Sequence, residues 1–146
     1  EEKPHKTAII WKEKSLSYVE LGQWVKAYAH YFIAKGVYRG DRILFHGQSS
    51  LRFSAIYLAC HRIGAIAVPV DARMTSVERN ALYLQINPAL ALFPTSLEAN
   101  FPFEDLEQDI DIRQLELINP FPEKSPPLKS IGEYSNAILY FSLKLN

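Results

Sequence analysis

The 146-residue sequence holds a single cysteine, and its 16 basic side chains are balanced by 16 acidic ones. One cysteine excludes an internal disulfide framework and fits a reducing compartment, so a cytoplasmic location is expected. Zero net charge leaves no basic field for nucleic acid or anionic lipid. No apolar run approaches the roughly 20 residues that span a bilayer, and no signal-like segment opens the chain. Glu1 stands where an initiator Met would, which points to a native start removed or lying outside this sequence. The phosphate-cradling patterns G-x-G-x-x-G and G-x-x-x-x-G-K-(Ser/Thr) are missing as well.

What remains is ordinary globular material, 48% hydrophobic with a mean hydropathy of −0.09. A chain of this length makes one domain or part of one, able to bury roughly two-thirds of its unfolded surface. Its centre runs from Ser50 to Asp71. Ser50 can cap a helix start and Gly64 can end the helix in a left-handed conformation. Leu51, Ala55, Leu58, Ala59 and Arg62 form one stripe, with Ile56, Cys60 and Ile63 beside it. That face is wide for a surface helix and predicts packing from more than one side. Ala65–Val68 is wholly apolar and predicts a strand covered on both faces, which Pro69 stops for want of an N–H.

Upstream, Lys6–Trp11 and Ser15–Ser17 predict a hairpin about a polar turn, Lys12-Glu13-Lys14. Ser17-Tyr18-Val19-Glu20 is a capping box. The helix behind it turns Leu21, Trp24, Val25, Tyr28 and Phe32 inward, leaves Gln23, Lys26 and His30 on a solvated face, and closes at Lys35-Gly36. Ile43–Phe45 is the strand entering the central unit. Downstream, Thr75 or Ser76 starts a helix to about Gln85 with Val77, Ala81 and Leu84 inward, and Asn87-Pro88 ends it. Ala89–Phe93 is a further buried strand before Pro94. Strands Ile43–Phe45, Ala65–Val68 and Ala89–Phe93 are expected as parallel neighbours with the helices as crossovers, in a doubly wound α/β sheet. Ser96–Asp111 is acidic and reads as a solvated loop or short helix rather than a metal cluster, Arg113–Ile118 alternates as a strand does, and Pro120, Pro122, Pro126 and Pro127 mark an extended loop.

Four segments, in order, resemble the adenylate-forming (AMP-binding) superfamily of acyl-CoA synthetases, acyl-AMP ligases, nonribosomal peptide adenylation domains and luciferases. Leu16-Ser17-Tyr18-Val19-Glu20-Leu21 is similar to its opening Leu-(Thr/Ser)-Tyr-x-Glu-Leu motif. Gly36-Val37-Tyr38-Arg39-Gly40-Asp41-Arg42-Ile43 resembles its Gly-Val-x-x-Gly-Asp-x-Val turn. Gly64-Ala65-Ile66-Ala67-Val68-Pro69-Val70-Asp71 resembles Gly-Ala-x-x-x-Pro-x-(Asp/Asn). Ala137-Ile138-Leu139-Tyr140-Phe141-Ser142 resembles the strand leading into the family's phosphate loop, but Leu143 stands where glycine is required, and Lys144, Leu145 and Asn146 match nothing further.

The resemblance covers nearly the whole chain and only the first part of the family's large domain. It implies an α/β fold with a doubly wound, largely parallel sheet, flanking helices and an N-terminal β-hairpin. It divides the chain into residues 1–118 as a subdomain, 119–134 as a Pro-rich loop and 135–146 as a truncated strand. It implies an N-terminal fragment of an ATP-dependent carboxylate-activating ligase, which forms an acyl-AMP and then a thioester. The fragment itself is expected to be inactive; the alternative is a stand-alone, non-catalytic remnant acting as a binding module. ATP and Mg2+ belong to the intact parent, and no cofactor is expected in this chain. The implied partners are the rest of the parent, a carboxylic acid and a CoA or carrier-protein thiol, with no nucleic acid. The exposed edge of the strand Ala137–Phe141 points to self-association.

No residue is assigned catalysis, and Ser142 is the one remnant of a cofactor loop. No metal site is assigned: His5, His30, His46 and His61 lie on different elements without ligand spacing. Cys60, in an apolar helix, reads as a packed and inert thiol. A third, unrelated reading is a small flavodoxin-like domain binding a ligand at the carboxyl ends of its strands, which would need a phosphate-cradling loop or charged cleft.

Overall fold

The computed structural model describes residue 3, residues 5–48 and residues 50–107 of the chain. Two strands, β1 (Thr7–Trp11) and β2 (Lys14–Ser17), pair antiparallel. Lys12 takes a left-handed conformation (φ 54°) in the tight turn between them, so the return strand starts at Lys14, one residue before the expected Ser15. Helix α1 (Tyr18–Ala34) opens on the anticipated box. The Ser17 hydroxyl accepts from the Glu20 N–H at 3.3 Å, and the Glu20 carboxylate accepts from the Ser17 N–H at 2.8 Å.

Strands β3 (Arg42–His46), β4 (Ile66–Val70), β5 (Leu90–Phe93) and β6 (Glu104–Asp105) form a parallel sheet in the order β4-β3-β5-β6. The three expected strands are thus parallel, with β3 paired to both others. Helices α2 (Leu51–Ile63) and α3 (Ser76–Ile86) are the crossovers. Gly64 ends α2 with φ 74°, a backbone that favours glycine. Asn87 ends α3 in the same left-handed region.

Because side chains alternate along a strand, the sheet has two cores. Ile43, Phe45, Ala67, Leu90 and Leu92 face α1 and α2 and meet Tyr28, Phe32, Ala55, Ile56 and Ala59. Leu44, Val68, Val70, Ala91 and Phe93 face the other way and meet Leu82 and Ile86 of α3. One helix does not cover that second face. An extended strap joining β5 to β6 completes it, with Leu97, Ala99, Phe101 and Phe103 packed inward at every second position.

Five expectations are corrected. Pro69 does not stop the strand; it lies inside β4. The Ile66 N–H donates to Asp41 and the Val70 carbonyl accepts from Gly47, so Ile66, Val68 and Val70 point to β3, and Pro69 points outward, where no donor is needed. Val77, Ala81 and Leu84 are exposed, and α3 buries Arg79, Leu82 and Ile86 instead. The helix carries apolar residues at two phases, and the phase with Leu82 and Ile86 puts the bulkier pair on the sheet. His30 is buried rather than solvated, because α2 packs beside α1 and encloses that flank. Leu58 and Arg62 fall on the exposed edge of α2's stripe, outside its buried set of Leu51, Ala55, Ile56, Ala59 and Cys60. Within the acidic stretch, Glu104 and Asp105 add β6 to the sheet. The strands expected at Arg113–Ile118 and Ala137–Phe141, and the Pro-rich loop, lie outside the described residues.

Candidate functional site

In an open α/β sheet, ligands meet the carboxyl ends of the strands where the chain order reverses. Here the chain leaves β3 for β4 on one side and then returns past it to β5, so the reversal lies between β3 and β5. The edge there is built from His46-Gly47 after β3, Val70-Asp71 after β4, Phe93-Pro94 after β5 and the start of α2 at Ser50.

Gly47 turns the chain tightly across the end of β4. Its N–H donates to the Val70 carbonyl at 2.7 Å, and a Cβ on it would lie 2.4 Å from that same oxygen. No side chain fits, so glycine here serves close backbone approach. Ser50 accepts from the Phe53 N–H at 3.0 Å and caps α2. The first-turn cation, Arg52, turns away to donate to the Tyr28 hydroxyl at 3.1 Å and to lie over the Trp24 ring. The helix start therefore presents a capped turn whose nearest guanidinium is engaged by α1.

His46 stands half-buried, edge-on to Phe93 at 6.3 Å. Of the other histidines, His30 is enclosed beside α2, His5 is exposed, and His61 rests against Tyr57 at 4.8 Å. The structure does not gather them. Asp71, the acidic end of the Gly64–Asp71 motif, is gripped by its own loop: Arg73 donates from its side chain at 2.7 and 3.0 Å and from its N–H at 2.9 Å. That hydrogen-bonded guanidinium lowers the carboxyl to about 2. So low a value makes Asp71 a poor proton acceptor at neutral pH, and its role is to fold the entry to α3.

Cys60 is fully buried in α2, and burial raises its thiol to about 12. A thiol so poorly ionised is a weak nucleophile. Among the described residues, no three His, Cys, Asp or Glu side chains gather to hold a metal ion. The acids of β6 are engaged separately: Glu104 pairs with Lys35 at 2.9 Å, and Asp105 accepts from the Glu107 N–H at 2.9 Å.

Sequence reasoning missed Arg79. Its guanidinium donates to the Met74 carbonyl, before α3, and to the Glu98 carbonyl at 2.9 Å, in the strap. The neighbouring Asn80 side chain accepts from the Asn100 N–H at 3.0 Å, and Tyr83 stacks on Phe101 at 4.4 Å. These contacts fasten two loops of the carboxyl edge to one helix. An arginine in an otherwise inward phase of α3 was the available signal. Ser142 and Lys144 lie outside the described residues.

The reversing parallel sheet, with its loops fastened at the carboxyl edge, defines a doubly wound α/β domain of the kind that carries a ligand on those loops. The chain belongs to the AMP-binding enzyme family, whose model matches residues 1–133. It is 33% identical over 116 residues to the crotonobetaine/carnitine–CoA ligase of Escherichia coli O17:K52:H18, covering 76% of this chain and 22% of that enzyme. The corresponding ligase of E. coli K12 strain DH10B is 32% identical over the same length. Apo MatB from Rhodopseudomonas palustris superposes with a TM-score of 0.60 at 28% identity, over 64% of this chain and 19% of that one. O-succinylbenzoate coenzyme A synthetase MenE from Bacillus subtilis, solved with AMP, has the same fold, with a TM-score of 0.63 at 20% identity over 77% of this chain and 29% of its own. The chain thus spans about a fifth of the length of the curated relatives it matches. No helix among the described residues is long and apolar enough to cross a membrane.

Proposed function

We propose that this chain is the N-terminal piece of an ATP-dependent carboxylate-activating ligase of the acyl-CoA synthetase type, and that it is inactive by itself. The observation that carries the reading is the family match across residues 1–133, joined to the likeness to CoA ligases over 116 residues. Residues 1–118 would be the subdomain, 119–134 a linking loop and 135–146 the approach to the phosphate loop. The intact parent would use ATP and Mg2+ to join a carboxylic acid to AMP and pass the acyl group to a CoA or carrier-protein thiol, in the cytoplasm. This chain contributes scaffold: the carboxyl edge of the sheet and the loops fixed to it. Leu143, in place of the glycine that backbone approach to phosphate demands, supports inactivity.

The test is acid-dependent exchange of pyrophosphate into ATP, across fatty, aromatic and amino acids. The 146-residue chain alone should give none. Spliced in place of the matching segment of the E. coli crotonobetaine/carnitine–CoA ligase, it should support acid-dependent release of AMP. Turnover by the chain alone would refute its inactivity, and a folded but silent chimera would refute the ligase reading. Self-association through the strand Ala137–Phe141 is checked by light scattering against a chain ending near Ser130. Identical monomers would exclude it.

A further inference from the structure

Where α1 meets α2, His30 is 4% exposed, and its Nε2 has no hydrogen-bond partner among the described residues. The charges acting on it are Lys26, one turn earlier on α1, and Arg62, in the last turn of α2. Both are positive, and no acid on the packed elements answers them. Helix α2 carries Arg52, His61 and Arg62 and no carboxylate. The single acid of α1, Glu20, is bonded to the Ser17 N–H at the far end of the helix. Beneath the helices, β3 brings Arg42 and His46, β1, β4 and β5 bring no charged side chain, and β2 brings only exposed Lys14. The two carboxylates near the end of α1 are engaged, Glu104 with Lys35 at 2.9 Å and Asp41 with the Tyr38 N–H at 2.7 Å.

We propose that His30 is an acid-sensitive latch on the α1–α2 seam: neutral, it lets α1 seat against α2, and protonated, it drives that flank of α1 toward water. A proton on the ring would create a buried imidazolium whose Nε2–H finds no acceptor among the described residues and whose charge faces two cations. Leaving such a group buried and unpaired is costly. Burial, with Lys26 and Arg62 adding to it, pushes the imidazole below its ordinary value. The sign follows. The folded chain prefers the neutral ring, so this stability is fully present above the ordinary value of about 6.5 and is lost as pH falls through the lowered folded-state value. The latch is a property of the described helices and stands apart from the ligase reading.

Amide hydrogen exchange on the full 146-residue chain tests it, with α1 compared at about pH 8 and about pH 5 after correction for intrinsic rates. Wild type should lose about tenfold protection along the His30 flank of α1 at the lower pH. His30→Leu, similar in bulk and never charged, should hold its protection. Equal losses in both proteins would overturn the latch. Should the variant not fold, NMR titration of the His30 ring in wild type decides: a midpoint below the ordinary value supports the latch, and one at or above it overturns it.

Discussion

The two faces of the sheet are closed by different means. On the α1–α2 face, side-chain packing suffices: Phe32, Ala55, Ile56, Ala59 and Cys60 are fully enclosed against Ile43 and Phe45. On the α3 face, one helix of 11 residues is too little, and an extended strap makes up the cover. A strap brings backbone groups that a helix would have satisfied internally, and those groups must find partners. Arg79 and Asn80 supply them, at Glu98 and Asn100. Arg42 does the same at the end of α3, its Nε–H donating to the Ile86 carbonyl at 2.7 Å. A face covered by helices is closed mainly by apolar volume, with Arg52 donating to the Tyr28 hydroxyl across the α1–α2 seam. A face covered by loop needs polar fastenings, and a charged side chain in the core is then structural.

The contrast breaks hardest at Phe32. Phe32→Ala removes a fully enclosed ring from the packed face and should cost about 3–5 kcal/mol, read as a lowered urea midpoint. If the cost is under about 1 kcal/mol, packing is not what closes that face. Next comes Arg79→Met, which keeps bulk but strands two carbonyls; it should cost about 2 kcal/mol. Its loss should be local, with the Asn100 and Leu106 amides exchanging faster while α1 keeps its protection. A uniform loss across both faces would remove the distinction. The capping boxes give a control, since α1 and α3 carry the same device. Thr75 accepts from the Glu78 N–H at 3.2 Å much as Ser17 does from Glu20. Ser17→Ala and Thr75→Ala should each cost about 1 kcal/mol, and a twofold disparity would show that the faces differ in helix stability as well as in cover. The smallest effect is expected at Leu84, 78% exposed on the outer side of α3. Leu84→Glu should change stability by no more than about 0.5 kcal/mol, and a larger loss would mean that this side of α3 is covered.

Features decided within a few residues were legible in the sequence. All three helix starts, the left-handed stop at Gly64 and the apolar strands follow from local hydrogen bonding and from uniform apolarity. Features decided by what lies across the molecule were not. The phase of α3 could not be read because Val77, Ala81 and Leu84 repeat as regularly as Leu82 and Ile86. The burial of His30 depends on α2 lying beside it, and the place of Pro69 depends on which edge of β4 is paired. For the candidate site, the family segments were legible as motifs, but their local roles were not. Asp71 closes a loop with Arg73, and Gly47 is required by the Val70 carbonyl, a contact between residues 23 positions apart.

Pro69 carries one more consequence. Facing away from β3, it leaves the Ala67 N–H as the outward donor of β4, so a strand laid along that side would find too few bonds to hold its register. The opposite border has no such stop, because β6 already joins through the Leu106 N–H and the Phe93 carbonyl at 2.9 Å. Among the described residues the sheet therefore has a direction: it is sealed at β4 and open to extension at β6, and any further strand recruited to it is expected on the side of the strap.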